Sequence, residues 1–342
     1  MKLNIILNKL IAMMACMLML SSCQGLIYQD EGDCDPYYKV RFVYDWNMAF
    51  ADAFPRQVTA VTLYVVDTAT GKVVWSKHES GEALAQPGYA MDVEVKPGRY
   101  TLLAWAGKGH KTHFNVADSD VHTDLECRLL TKPHAEGHQY HDEDLDPLFH
   151  GMLADQEFTD KQGTHVYTVP LIKDTNNIQV VLQHLSGEPV DAEEFTFTIT
   201  DNNAHMAYNN DLIGDSPLTY YHWDRRQAAG TIISPENGVA ISHSAAKAEL
   251  SVGRLMTTSD PILTVKRSDG KEVFSINLLD WCLAFKSQHV NNGGRAGSMG
   301  DQEFLDRQDD WHMAFFLDEG NRWMNAFIYI NSFKVVLQNV DL

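Results

Sequence analysis

The sequence predicts an all-β fold, two tandem β-sandwich domains with a few short helices. Three observations carry this: apolar residues recur at period two in many short runs, turn dipeptides separate those runs, and no strand–helix–strand alternation is visible. The cleanest run is "FTFTIT", where Phe195, Phe197 and Ile199 share one face and three threonines the other.

The chain opens on Lys2 and Lys9, followed by an apolar stretch from Leu10 to Leu20. That is the length of a signal h-region and shorter than the roughly 20 residues a spanning helix needs. The order Leu20-Ser21-Ser22-Cys23 then resembles the lipobox of bacterial lipoproteins, whose cysteine thiol is acylated and becomes the new N-terminus. Residues 1–22 are therefore expected to be a lipoprotein signal peptide and Cys23 the lipidation site. Residues 23–36, rich in acids and glycine, form a tether that reaches about 40 Å when extended.

Beyond the tether, "YKVRFVYDW" sets Val40, Phe42 and Tyr44 against Lys39 and Arg41. "VTAVTLYVVD" groups Val61, Leu63 and Val65, and "YTLLAWA", "IQVVLQHL", "AELSVGRLM" and "AFIYINSFKVVLQNV" read as further strands. Pro-Gly at 87–88 and 97–98 and Thr70-Gly71 mark turns, and Ser268-Asp269-Gly270-Lys271 joins 261–267 to 272–278 as a hairpin. Helical patches are expected at about 47–54, 279–287 and 299–308, the last capped by Asp301. The first strand set ends near Pro170, and the polar "KDTNN" at 173–177 precedes a fresh set. The domains are thus placed at 37–171 and 172–342.

The formal net charge is −19, and loss of the leader's two lysines takes it to −21. With no basic stripe, such a chain excludes binding to a nucleic-acid backbone. Of five cysteines, Cys16 leaves with the leader and Cys23 is committed to lipid. Cys282, in the helix-like "LLDWCLAF", is expected to be a buried free thiol. Cys34 and Cys127, both in polar surroundings, are the favoured disulfide pair in an oxidising compartment.

Chemistry-bearing patterns are weak. His134, His138 and His141 have metal-ligand spacing on a helix, but Pro133 and Gly137 make the segment a loop, and no metal site is assigned; the nearby His110 and His113 are weaker still. "GDSPL" at 214–218 lies mid-chain with Pro217 against a helix, and no G-x-S-x-G elbow exists. "NNGGRAGSMG" lacks the Gly-Lys-Ser/Thr ending of a phosphate loop, and "DQEFLDRQDDW" lacks the EF-hand alternation. No catalytic residue, no metal and no cofactor is expected, and the chain does not read as an enzyme.

Several segments in order carry a resemblance. They are "CDPYYKVRFVYDWNMAFADAFPRQVTAVTLYVVD", "PGRYTLLAWAG", "DPLFHG", "LSVGRLM" and the closing "GDQEFLDRQDDWHMAFFLDEGNRWMNAFIYINSFKVVLQNVDL". Together they resemble the FimB-like fimbrial anchor lipoproteins of Bacteroidales, relatives of the fimbrillins, over roughly 34 to 342. The resemblance implies two transthyretin-like (Greek-key) β-sandwiches. It further implies an outer-membrane location at the base of a fimbria, where such proteins attach the shaft of fimbrillin-type subunits and limit its length. Ser332 departs from the glycine common in the family's last hairpin, so a longer or different turn is expected there. Sandwich edges pair readily with extended segments of other chains. The terminal run, with Phe333, Val335 and Leu337 alternating, reads as a closing strand or, alternatively, a donated one. Competing with the anchor reading is a surface glycan-binding lipoprotein using Trp75, Trp105 and Trp223 as a platform; a secreted hydrolase comes third.

Overall fold

The period-two runs become strands, and the turn signals lie between them. The computed structural model describes residues 35–108, 113–134, 137–184, 186–214, 217–233, 240–291, 298–324, 327–330 and 333–336. Cys23, Cys34 and His110 lie outside these residues, as do Asp215 and Ser216 of the "GDSPL" segment, 292–297 of the glycine-rich segment, Ser332 and Leu337.

In chain order the first half contributes β1 (Pro36–Val43), β2 (Ala60–Asp67), β3 (Val73–Ser80), β4 (Met91–Val93), β5 (Gly98–Gly107), β6 (Phe114–Val116), β7 (Cys127–Leu129), β8 (Lys132–Pro133), β9 (Gln139–His141), β10 (Leu148–Phe158), β11 (Gly163–Pro170) and β12 (Ile172–Lys173). The second contributes β13 (Thr175–His184), β14 (Phe195–Asp201), β15 (His205–Met206), β16 (Leu218–Tyr221), β17 (Asp224–Ile233), β18 (Ala240–Gly253), β19 (Ile262–Arg267), β20 (Glu272–Asn277), β21 (Asp310–Leu317), β22 (Phe327–Ile330) and β23 (Phe333–Val336).

One topology occurs twice. In the first sandwich, sheet order β10-β5-β2-β3 faces β11-β1-β4; in the second, β20-β19-β14-β16 faces β21-β13-β18. Each copy opens on a strand that pairs parallel with a late one, β1 with β11 and β13 with β21, and antiparallel with a middle one. The first core packs Val40 and Phe42 of β1 against Leu63, Val65, Leu102 and Ala104. The second packs Ile178 and Val180 against Phe195, Phe197, Trp311 and Phe315. The expected hairpin forms between β19 and β20, with Gly270 at φ 82°, a conformation glycine adopts without strain.

Within residues 113–146, Asp120 to His122 bond the β2–β3 turn of the first sandwich, but the flanking strands cross to the second. β9 pairs parallel with β16 and is flanked by β8, so both extend a sheet of the second sandwich. β7 pairs with β15 of the second half. This segment also covers β5 from outside: Leu102 and Ala104 face the first core, while Leu103 and Trp105 join the second core cluster. "YTLLAWA" is thus buried on both faces, which explains its near-continuous apolarity.

Two helical expectations hold and one does not. Helices occupy Leu278–Asn291 and Asp301–Arg307. Residues 47–53 instead form turns, followed by a single helical turn Phe54–Gln57. Here Asn47 Oδ1 accepts from Ala49 N while its amide donates to the carbonyls of Tyr44 and Ala51, and Asp52 Oδ1 accepts from the N–H groups of Tyr44 and Phe54. These side-chain bonds compete with the helical ladder. Asp301 is not the cap: Gly300 holds that position, and the Asp301 carboxylate pairs with Lys286 at 2.7 Å.

The two halves meet at a buried polar cluster. Arg254, at the end of β18, donates two bonds of 2.9 Å to Asp306 and one of 2.6 Å to the Asn210 carbonyl. Asn210 Nδ2 donates to Asp174 Oδ1 at 2.8 Å, and Arg254 Nε lies 3.7 Å from the same oxygen. His150 of β10 donates from Nε2 to the Tyr208 carbonyl, a contact across the junction; burial holds this imidazole neutral, pushing its pKa down to about 4. Asp174 Oδ2 has no hydrogen-bond partner, and burial pushes that carboxyl up to about 7; burial likewise raises Asp201 to about 6.

These raised values set a sign. Between about pH 4 and about pH 7 these two carboxyls hold protons in the folded chain that the unfolded chain has released, so their contribution to stability falls as pH rises through that window, while the neutral His150 contributes with the opposite sign. Asp174→Asn and Asp201→Asn should each make the slope of the thermal midpoint against pH more positive across this range. An unchanged slope in the double variant would remove this account.

Candidate functional site

A sandwich offers an assembly partner its sheet edges, where a row of backbone N–H and C=O groups has no neighbour. Most terminal strands here are short or charged. β4, β6, β8, β12 and β15 have three residues or fewer. β3 carries Lys77 and Glu79, paired at 3.3 Å, β17 carries Asp224, Arg225 and Arg226, β20 carries Glu272 and β23 carries Lys334. Among the described residues, β11 ("GTHVYTVP") is the one terminal strand of four or more residues without Asp, Glu, Lys or Arg.

β11 is also held firmly. It runs parallel to β1 over eight residues, from Pro36↔Gly163 to Val43↔Pro170. Inward, Val169 is fully buried, and the Tyr167 ring lies flat on Phe158 at 4.1 Å and 3° while its hydroxyl donates to the Glu157 carbonyl at 2.6 Å. Outward, Thr164, Val166 and Thr168 alternate. Val166 is 56% exposed and Tyr37, on neighbouring β1, is 49% exposed, so apolar surface lies beside the open main chain. A rigid, uncharged edge with outward apolar side chains can add a strand: ladder bonds supply affinity and alternate side chains supply register.

The terminal run forms a closing strand. β23 pairs antiparallel with β22, whose other neighbour is β21, and Ile330 opposes Phe333.

The histidine cluster divides across a hairpin. His141 of β9 is buried, while His134 and His138 are exposed. His113 lies 3.4 Å from Glu143 and 3.3 Å from Asp146, and its ring meets His141 edge-on at 5.2 Å. Burial lowers the His141 pKa. Among the described residues no group of three or more His, Cys, Asp or Glu is arranged to hold a metal ion.

The three tryptophans do not form a platform. Trp105 is only 3% exposed and donates its indole N–H to the Leu125 carbonyl at 3.2 Å. Trp75 packs against the first core, and Trp223 is exposed on the second sandwich. The period-two pattern could not reveal this, because it shows which face a residue takes and not whether that face is covered again. Cys282 is a buried free thiol in its helix, as expected. Cys127 is buried and has no disulfide partner among the described residues, and Cys34, its expected partner, lies outside them.

With this architecture in hand, comparison with known proteins is specific. The profile described as "Fimbrillin-A associated anchor proteins Mfa1 and Mfa2" matches residues 30–339. A candidate adhesin from Bacteroides thetaiotaomicron is 34% identical, with a TM-score of 0.77 over 90% of this chain and 100% of that one. A candidate polysaccharide-binding protein from the same species is 28% identical, with a TM-score of 0.74 over 89% and 99%. The fimbrial anchor protein Mfa2 from Porphyromonas gingivalis shares the fold at 15% identity, with a TM-score of 0.63 over 89% and 99%. No curated protein matches. The match spans nearly all of the chain after its leader, and the chain belongs to the family of fimbrillin-A associated anchor proteins.

Proposed function

We propose that this protein is a lipid-anchored outer-membrane accessory of a fimbria that docks a fimbrillin-type subunit by main-chain pairing at the free edge of β11 and limits fimbrial length, without catalysis. The observation that carries the reading is the eight-residue uncharged edge. Family membership supplies the fimbrial context, and the lipobox-like run ending at Cys23 supplies the anchor. Strand addition suits an acidic chain, because ladder hydrogen bonds need no charge complementarity.

Capture of fimbrillin by the purified protein should depend weakly on salt, since screening acts mainly on exposed charge pairs. Val166→Lys, which places a charge on the outward face of the edge, should weaken capture about tenfold or more at an unchanged thermal midpoint. Deleting the gene should give long, detached fimbriae; fimbriae of normal length still fixed to the cells would end the anchor reading. The glycan-binding alternative draws support from the description of one solved relative, but not from the tryptophans first considered for it.

A further inference from the structure

On the outer face of the second sandwich, the hairpin inserted from the first half meets β16 and forms a trough of about 570 Å³. It is lined by Pro133, His134, Tyr140, Asp142, Tyr221 and His222. The sheet register creates it. Tyr140 of β9 sits opposite Thr219 of β16, whose neighbours Leu218 and Tyr220 point into the core, so Tyr140, Thr219 and Tyr221 share the outward face. The Tyr140 and Tyr221 rings stand at 88° with centroids 5.9 Å apart, forming a corner, and His134 meets Tyr140 at the same angle and distance.

The polar groups around this corner are mixed. His222 Nδ1 lies 3.3 Å from the Phe197 carbonyl, an acceptor, so Nδ1 carries the proton. In the neutral ring this leaves Nε2 as an acceptor. Each tyrosine hydroxyl both donates and accepts. Lys132 bonds Asp142 and Glu143 at 2.6 Å each, so one cation faces two carboxylates and the rim keeps a net negative charge.

We propose that this trough is a glycan site that takes a neutral hexose ring of an oligosaccharide. A sugar ring offers an apolar C–H face and a fringe of hydroxyls that donate and accept at once; an aromatic corner with acceptors and amphoteric hydroxyls matches both. The negative rim rejects uronates, sialates and sulfated sugars by like-charge repulsion. An apolar peptide finds no deep pocket among these residues. The site is independent of subunit docking, since β11 belongs to the first sandwich and the trough to the second.

The test is titration of the whole lipidated protein in detergent with cellohexaose, laminarihexaose and mannohexaose, with a heparin hexasaccharide as acidic control. At least one neutral hexasaccharide should bind saturably in the millimolar range or tighter, and the acidic one should not. Tyr140→Ala and Tyr221→Ala should each weaken binding about tenfold, the worth of one aromatic contact. Tyr221→Phe should keep most of it. Fimbrillin capture and the thermal midpoint should be unchanged in all three variants, which separates this site from the edge of β11. The proposal is overturned if none of the three neutral sugars binds, if the acidic one binds best, or if both alanine variants bind like the parent. It is equally overturned if the tyrosine variants lose fimbrillin capture, for the trough would then hold a protein partner.

Discussion

Arg254→Met is expected to lower the stability of the folded chain by about 3–5 kcal/mol. Arg254 is 7% exposed, and its guanidinium makes a bidentate bond to Asp306, itself buried, in addition to its bond to the Asn210 carbonyl. Removing it leaves the Asp306 carboxylate in a low-dielectric site with, among the described residues, only the Gln302 amide as a side-chain hydrogen-bond donor. It also removes the cation beside Asp174, so that carboxyl should hold its proton to still higher pH. Denaturant unfolding with a two-state fit measures the loss. Arg254→Met with Asp306→Leu should recover much of it, because exchanging a whole buried pair for apolar residues is near neutral, whereas stranding one charge is not. A single variant within about 1 kcal/mol of the parent would show that the pair does not hold the junction.

Cys23→Ala is expected to abolish anchoring in the outer membrane. Two or more acyl chains on one cysteine give stable anchoring, each buried CH₂ contributing about 0.8 kcal/mol, whereas a single chain holds only marginally. No helix among the described residues is long and apolar enough to cross a membrane. The variant should accumulate as unprocessed precursor, take up no labelled palmitate and leave the outer-membrane fraction almost completely. Fimbriae should then be shed into the medium, since the uncleaved precursor would not reach the outer membrane to hold them. Retention of label and of outer-membrane fractionation in the variant would refute the assignment of Cys23.

The all-β class, the position of most strands and the β19–β20 hairpin follow from local rules. Alternation sets the face of each residue, and a turn residue such as Gly270 tolerates its backbone angle wherever it stands. The helix Leu278–Asn291 was legible for the same reason, and the turns at 47–53 were not, because Asn47 and Asp52 bond backbone groups that a propensity reading assigns to a helix. Membership of the anchor family was legible too, from motifs that are individually weak but correctly ordered.

The functional surface depended on pairings between residues distant in the chain. The β11 edge counts only because β1, more than 120 positions earlier, covers one side of it and no strand among the described residues covers the other. The Tyr140–Tyr221 corner exists because β9 crosses from the first half to lie parallel to β16, and Trp105 is lost to solvent because the same inserted segment covers β5. By itself the sequence determined which residues alternate, where the chain turns and where a lipid anchor is expected. Only the tertiary structure decided which strand stays unpaired, which aromatics stay exposed and which charges must neutralise one another, because edge, exposure and desolvation are properties of contacts between segments and have no local signature.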